Sequence, residues 1–127
     1  DYVKAGANLL FVITNDGWWG DTPGYKQHLT YSSLRAIETR RSIARSASTG
    51  ISCFINQKGE ILQPTDFGES DAIKSQVNAN SEPTYYVRHG DFVSRIILFF
   101  GILILLYMIV TTIITRRNNI PGSLRRT

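Results

Sequence analysis

Residues 96–114 read IILFFGILILLYMIVTTII, nineteen residues without a charged side chain. A helix of this length, at about 1.5 Å per residue, spans roughly the 30 Å hydrocarbon core of a bilayer. Core helices of soluble proteins are rarely apolar on every face, and this run is flanked by Arg95, Arg116 and Arg117. The stretch therefore predicts a transmembrane helix at residues 92–116. The alternative is a buried helix of a soluble core.

The charges of the chain fall into two groups. Residues 1–91 carry nine Lys/Arg and ten Asp/Glu, a net charge of −1, whereas residues 92–127 carry five arginines and no acid. The overall charge of +4 is thus a property of the membrane flank, which argues against a nucleic-acid-binding surface. Four of the five arginines follow the helix, so the positive-inside rule predicts a basic cytoplasmic tail at 117–127. Pro121-Gly122-Ser123 predicts that residues 118–127 are disordered. Residues 1–91 then face the opposite side, which in a bacterium is the periplasm.

Residues 1–91 have the pattern of an incomplete domain. Residues 9–13 read LLFVI, a continuous apolar run that is typical of a strand covered on both faces. Ninety residues hardly supply both covering layers, and Asp1 is not a start methionine. We therefore expect the chain to begin inside a larger domain, as its C-terminal portion. One cysteine, Cys53, excludes an internal disulfide.

The remaining pattern predicts a mixed α/β arrangement. A strand at 8–14 is followed by a loop that is rich in turn residues and carries two tryptophans. Thr22 can cap and Pro23 can open a helix, whose spacing predicts helix over residues 23–46. Residues 51–55 and 60–62 predict a hairpin around a Gly-containing turn, and a further strand is predicted at 72–79.

Several short motifs follow one another in an order that is more specific than any one of them. They are Asn15-Asp16-Gly17-Trp18-Trp19-Gly20, Gln27-His28, Arg35-Ala36-Ile37-Glu38, Arg45, Gly50-Ile51, Gly59-Glu60-Ile61 and Tyr86-Val87-Arg88-His89-Gly90-Asp91. In this order, and with the final apolar helix, the chain resembles the C-terminal part of the apolipoprotein N-acyltransferases. The resemblance covers the chain up to its tail. The membrane helix separates it from the soluble members of the nitrilase superfamily.

The resemblance implies part of a nitrilase-like αββα sandwich followed by one transmembrane helix, in the bacterial inner membrane. It also implies a two-step reaction. A cysteine thiolate takes an acyl chain from a phospholipid as a thioester, then passes it to the α-amino group of a diacylglyceryl lipoprotein. The family's Glu-Lys-Cys triad has no counterpart in these 127 residues, so no catalytic residue is assigned and the chain alone is expected to be inactive. No metal and no cofactor are expected.

Three residues of the tryptophan loop are candidates for substrate binding. By the resemblance, Trp18 lines the mouth of the active site, where acyl chains enter. The alternative is that Trp18 and Trp19 anchor the domain at the membrane interface. Asn15 and Asp16 carry short polar side chains that can hold a tight loop by bonding its backbone. We expect these two to shape the site without taking part in the chemistry.

Other polar side chains are interpreted as structural. Cys53 has no His, Lys or Arg close by in sequence to lower its pKa, which favours a small buried hydrophobe over a nucleophile. His28 lacks an HxxxH or carboxylate companion in sequence and is predicted to be a hydrogen-bonded structural histidine. The helical spacing also predicts a solvated or ion-paired helix face formed by Arg35, Glu38, Arg41 and Arg45.

Two other functions fit the same residues. One is a membrane-anchored nitrilase-like module that has lost catalysis and serves as a scaffold. The other is a carbon-nitrogen hydrolase that acts on small amides and carries an unusual anchor. A cysteine shortly upstream of Asp1, preceded by several membrane helices, would favour the acyltransferase. Acyl-chain preference and oligomeric state leave no mark on this sequence.

Overall fold

The structure, a computed structural model, describes residues 2–118. The described residues form two compact units, which divide between Gly90 and Asp91. The first contains a mixed sheet with two helices, and the second contains one long helix. This arrangement confirms a mixed α/β fold followed by an apolar helix. Most of the predicted tail at 117–127 lies outside the described residues.

The first unit is built on a four-stranded sheet. Its strands are β1 (Leu9–Thr14), β2 (Ser42–Ala47), β3 (Cys53–Ile55) and β4 (Ile61–Leu62), and they lie in that order. β1 and β2 are parallel, with Leu9 opposite Ser42, whereas β2–β3 and β3–β4 are antiparallel. The strand predicted at 8–14 and the hairpin are therefore confirmed.

Helix α1 (Pro23–Thr39) provides the crossover that two parallel strands require. Thr22 caps it by accepting a hydrogen bond from the Gly24 amide at 3.4 Å, and Pro23 occupies the first turn. Its buried face packs Leu29 and Ala36 against one side of the sheet. The core there also includes Ile43, Cys53 and Ile55, with the partly buried Leu10, Val12 and Ile51.

The prediction of helix over 23–46 is wrong in its last part. Arg40 adopts the left-handed conformation, with φ 52°, and its amide donates to the Ile37 carbonyl, so the helix ends at Thr39. Residues 42–47 then form β2, in the middle of the sheet. Because a strand alternates its side chains, Ile43 and Arg45 point to the α1 side together. The predicted helix face is therefore reduced to the Arg35–Glu38 pair.

The opposite face of the sheet is open. Phe11 is 72% exposed and Ile13 is 87% exposed, although both lie in β1, which is an edge strand of the described sheet. The continuous apolar run of β1 thus has one covered and one bare side.

No strand forms at 72–79, which corrects the prediction. Ile73, Ser75 and Val77 are partly buried in alternation, as in a strand, but this segment joins no ladder of the sheet. Instead, side chains connect it to the sheet: the Ser42 hydroxyl donates to the Asn78 carbonyl at 2.9 Å, and the Gln57 amide donates to the same oxygen at 3.3 Å.

Residues 78–84, which we call the strap, cross the amino ends of β1 and β2. The Asn80 amide donates to the Asn8 carbonyl at 3.2 Å, and the Thr84 hydroxyl donates to the Glu38 carbonyl at 2.6 Å. Arg41, only 1% exposed, donates to the carbonyls of Ala7 at 2.8 Å and Glu82 at 2.9 Å. The strap leads into the short helix α2 (Tyr85–His89).

The second unit contains helix α3 (Phe92–Asn118), which has 27 residues and a length of roughly 40 Å. It is long and apolar enough to cross a membrane. The Thr111 hydroxyl donates to the Tyr107 carbonyl at 3.0 Å and the Thr112 hydroxyl to the Met108 carbonyl at 2.7 Å. Asp91 accepts from the Ser94 amide at 3.0 Å, and bonds from Ser94 lower the pKa of Asp91. The helix thus has a capped start and no unbonded threonine hydroxyl in its apolar run.

Candidate functional site

The candidate site is the loop that follows the carboxyl end of β1. Thr14 and Ala47 are opposite each other in the β1–β2 register, and the Ser48 amide donates to the Thr14 carbonyl at 2.9 Å. The loop and the turn at 48–52 therefore lie side by side. Ligands of α/β sheets commonly bind outside the carboxyl ends of parallel strands.

Asn15 bonds the backbone of its own loop, as predicted. Its side-chain oxygen accepts a hydrogen bond from the Gly17 amide at 3.0 Å and starts a 3₁₀ turn at Gly17–Trp19. A Cβ at Gly17 would lie 3.1 Å from Asn15 Oδ1 and 3.2 Å from Thr49 Oγ1. The loop and the turn at 48–52 therefore approach each other too closely for most side chains at position 17.

Asp16 is the centre of the site and does not behave as predicted. Its side chain is fully buried and bonds other side chains, not the loop backbone. Oδ2 accepts from Arg45 Nη2 at 2.6 Å, and Oδ1 lies 2.8 Å from His28 Nδ1 and accepts from the Thr14 hydroxyl at 3.2 Å. Asp16 thus joins β1, α1 and β2.

His28 and Arg45, the two cationic-type side chains that contact Asp16, both act as hydrogen-bond donors to it. An ionised carboxylate can only accept hydrogen bonds, so His28 Nδ1 carries a proton and donates a hydrogen bond to Asp16. The 3.3 Å between Arg45 Nη2 and His28 Nδ1 is then a contact of two donors around one carboxylate. Arg45 also donates to Ser32 Oγ at 2.8 Å and to the Ile51 carbonyl at 3.3 Å. His28 is a hydrogen-bonded histidine, as predicted, but its carboxylate partner lies twelve residues away.

The cluster keeps Asp16 ionised. Burial alone would raise the pKa of Asp16, but the hydrogen bonds and charges of His28 and Arg45 outweigh it and lower the pKa below its ordinary value. A buried carboxylate paired with a buried guanidinium is stable only when both are bonded in this way. The site therefore contains an ionised carboxylate whose charge is balanced by Arg45 inside the protein.

Gly50 closes the cluster from the β2–β3 turn. A Cβ at this position would lie 2.8 Å from Asp16 Cβ and closer still to Asp16 Oδ2. Real Cβ atoms do not make such contacts, so only glycine allows the turn to cover the carboxylate.

The two tryptophans have different surroundings. Trp19 packs its ring against His28, with centroids 5.3 Å apart, and lies so close to Gly24 that a Cβ there would be 2.6 Å from Trp19 Cδ1. Its carbonyl accepts from the Thr22 hydroxyl at 2.8 Å. Trp18, by contrast, is 87% exposed. Trp19 therefore fixes the loop against α1, whereas Trp18 is exposed to solvent.

No family model matches the chain. Individual curated proteins do match it. Apolipoprotein N-acyltransferase of Chlorobaculum tepidum is 36% identical over 97 residues, or 76% of this chain. Those of Agrobacterium fabrum and Nitrosomonas europaea are each 34% identical, over 90% and 78% of this chain.

This chain belongs to the apolipoprotein N-acyltransferase family. It spans about a fifth of the length of these relatives, between 18% and 21%. The family resemblance noted from the order of motifs is thereby confirmed. The whole-protein activity of an apolipoprotein N-acyltransferase concerns the other four fifths as well.

Cys53 is a buried side chain in this member of the acyltransferase family, as predicted. It is 0% exposed in β3 and packs in the core with Ile43 and Ile55. Burial raises the pKa of the thiol, and the nearby Arg45 charge only partly offsets this. A thiol held protonated in an apolar core is a poor nucleophile.

Sequence reasoning assigned Arg45 wrongly in this acyltransferase-family chain. It was expected on a solvated helix face, but it is 3% exposed in β2 and holds Asp16. Nothing next to Arg45 in sequence signals this role, because its partners Asp16 and Ser32 lie 29 and 13 residues away. Among residues 2–118, no group of three His, Cys, Asp or Glu side chains is arranged to hold a metal.

Proposed function

We propose that this chain is the C-terminal part of an apolipoprotein N-acyltransferase. In the reaction, a thiolate from the upstream part attacks the ester carbonyl of a phospholipid, and the lysophospholipid leaves. The α-amino group of a diacylglyceryl lipoprotein then attacks the thioester and releases the thiolate. The observation that carries the proposal is the similarity over 90% of the chain to a protein of that name.

The bare side of the sheet supports a nitrilase-like sandwich. Helix α1 covers one face, whereas Phe11 and Ile13 on the other face are exposed. Parallel strands are normally covered on both faces. A second sheet from the upstream part would cover Phe11 and Ile13 and complete an αββα arrangement.

Trp18 is the substrate-binding residue of the proposal. Its large apolar ring suits an acyl chain, and its exposure leaves it free to contact one. Asn15 and Asp16 would shape the site beneath it, through the bonds described above. Trp18→Ala should slow acyl transfer by the full-length enzyme without unfolding it, with Trp19→Phe as the aromatic control. Unchanged turnover in Trp18→Ala would return Trp18 to the role of an interface anchor.

The membrane arrangement follows from α3 and the charges. We place residues 1–91 in the periplasm, 92–116 in the inner membrane and 117–127 in the cytoplasm, since four arginines follow the helix. Single cysteines placed at Ser123 and at Asp66, in a background without other reactive cysteines, should differ in labelling by an impermeant thiol reagent in spheroplasts. Labelling at 123 in intact spheroplasts, with none at 66, would reverse the orientation.

Acyl transfer to a diacylated lipopeptide by the full-length protein in detergent tests the function itself. A variant without the upstream nucleophilic cysteine is the control. Cysteine-dependent formation of triacylated product is the expected result. A folded, membrane-inserted protein that forms no product would favour the scaffold, whereas release of ammonia from small amides would favour the hydrolase.

A further inference from the structure

The Asp16 cluster contains more than a loop needs for stability. A single buried carboxylate joins the end of β1 to α1 through His28 and to β2 through Arg45, and Gly50 closes it from a third side. Asp16 directly precedes the Gly17–Trp19 turn, whose first amide, that of Gly17, donates to Asn15 Oδ1. The turn therefore starts at a residue whose side chain is fixed by three separate parts of the fold: α1, β2 and the β2–β3 turn.

Trp18 is the exposed aromatic residue in the middle of this turn. Trp19, the next residue, is held by His28, Gly24 and the Thr22 hydroxyl. Because the residues on both sides of Trp18 are bonded or packed, they restrict the backbone at Trp18, while Trp18 itself is exposed. The direction of Trp18 thus depends on the geometry of the cluster.

We propose that Asp16 is a positioning residue for acyl transfer, and that it acts through Trp18. Its charge, shared between Arg45 and His28, sets the orientation of the turn that presents the Trp18 ring to the acyl chain. This inference rests on the proposed function, since it assumes that Trp18 contacts substrate. Asp16 itself is buried and touches no substrate.

The chemistry of the cluster explains why charge, and not shape, is needed. Asparagine has the size of aspartate, but its amide group would point a donor at either Arg45 Nη2 or His28 Nδ1. An amide donor that faces Arg45 leaves a buried donor without an acceptor, whereas one that faces His28 requires the other imidazole tautomer. Both choices remove the carboxylate charge that Arg45 and His28 share. A displacement of about 1 Å in a substrate-positioning group is enough for a large loss of rate.

A double-mutant cycle in the full-length enzyme tests the proposal. We expect Asp16→Asn and Trp18→Ala each to lower kcat/KM for a long-chain phospholipid by about tenfold or more. If Asp16 acts through Trp18, the double variant should be no slower than Trp18→Ala alone. Multiplicative losses would show that Asp16 acts independently of Trp18 and would overturn the proposal.

Two substitutions of His28 provide a milder test in case Asp16→Asn folds poorly. The amide of asparagine overlays Nδ1 of histidine, whereas the amide of glutamine overlays Nε2. His28→Asn should therefore keep the bond to Asp16 and retain most activity, and His28→Gln should lose it. Because His28 is one-third exposed, neither change leaves a large cavity. Equal loss in both variants, or loss in His28→Asn alone, would contradict a role through the Nδ1 bond.

A spectroscopic readout separates this inference from the proposed function. In full-length protein labelled with 5-fluorotryptophan, the ¹⁹F signal of Trp18 is assigned by its disappearance in Trp18→Phe. Asp16→Asn should shift or broaden that signal, whereas Asp21→Asn, an exposed change in the same loop, should leave it in place. If the wild-type enzyme transfers no acyl chain, the proposed function fails, yet this signal still reports on positioning. An unmoved Trp18 signal in Asp16→Asn would refute the inference by itself.

Discussion

Arg45 Nη2 lies 2.6 Å from Asp16 Oδ2, and the side chains of both residues are completely buried. The pair spans 29 residues of sequence and links the end of β1 to β2. Removing one partner of such a pair leaves an uncompensated buried charge, which costs far more than the loss of a surface ion pair. The pair therefore controls both the stability of the first unit and the position of its loop.

Asp16→Asn should destabilise the protein by about 3 kcal/mol at neutral pH, since it breaks this pair. The lowered pKa of Asp16 sets the sign of the pH dependence. The ionised carboxylate stabilises the fold above its ordinary pKa of 3.8, and this stabilisation is lost as the pH falls through the lower folded value. Urea unfolding on both sides of pH 3.8 should thus show wild type and Asp16→Asn converging in acid.

Asp21→Asn is the matched control for this series because Asp21 is exposed in the same loop. Its stability should follow wild type at every pH. A gap between wild type and Asp16→Asn that stays constant into acid would mean that the charge of Asp16 is not what stabilises the fold.

Gly50→Ala should destabilise the protein by about 2 kcal/mol, because the added methyl group would overlap Asp16. Thermal unfolding of the purified variant measures the effect. Ser48→Ala, an exposed change in the same turn, should leave the midpoint unaltered. If both variants unfolded at the wild-type midpoint, the turn would accommodate a Cβ at position 50, which would contradict the structure.

Cys53→Ala should leave acyl transfer by the full-length enzyme within about twofold of wild type, since the thiol is buried and held protonated. Loss of the sulfur from the core should cost about 1 kcal/mol of unfolding free energy, similar to removal of one methyl group. Turnover and denaturant unfolding measured on the same preparation check both parts. Abolished turnover with normal stability would make Cys53 a functional residue after all.

Arg41→Met should release the strap. Arg41 is buried and donates to the carbonyls of Ala7, Thr39 and Glu82, of which Glu82 belongs to the strap. Without those bonds, amide hydrogen exchange at 78–84 should accelerate, with the Asn80 amide as the clearest reporter because it donates to Asn8. Arg40→Gly is the control: its backbone has φ 52°, which glycine adopts freely, so the strap should stay protected. Faster exchange in both variants would point to the helix end, not to Arg41.

Local pattern was sufficient to predict several elements. The apolar run of β1, the turn residues of the β3–β4 hairpin and the uncharged length of α3 each specify one structure through short-range signals. Asn15 was also predictable, because an Asn side chain bonds its own backbone two residues on.

The parts that failed depend on distant partners. Residues 41–46 read RSIARS, which carries two arginines and lacks the apolar alternation of a strand. Arg45 can be buried in β2 because Asp16, far away in sequence, supplies a carboxylate, and Ser32 and the Ile51 carbonyl accept its other bonds. The segment at 72–79 failed for the opposite reason. It has strand-like alternation, but it joins no ladder, and the side chains of Ser42 and Gln57 bond the Asn78 carbonyl near its end.

The strap also has a consequence for the order of events during synthesis. Its last bond to the rest of the first unit comes from Thr84, so every partner of Arg41 has been translated before α3 begins at Phe92. The bonds that hold the strap to the sheet therefore need no residue of α3, and the strap can close whether or not α3 has entered the membrane.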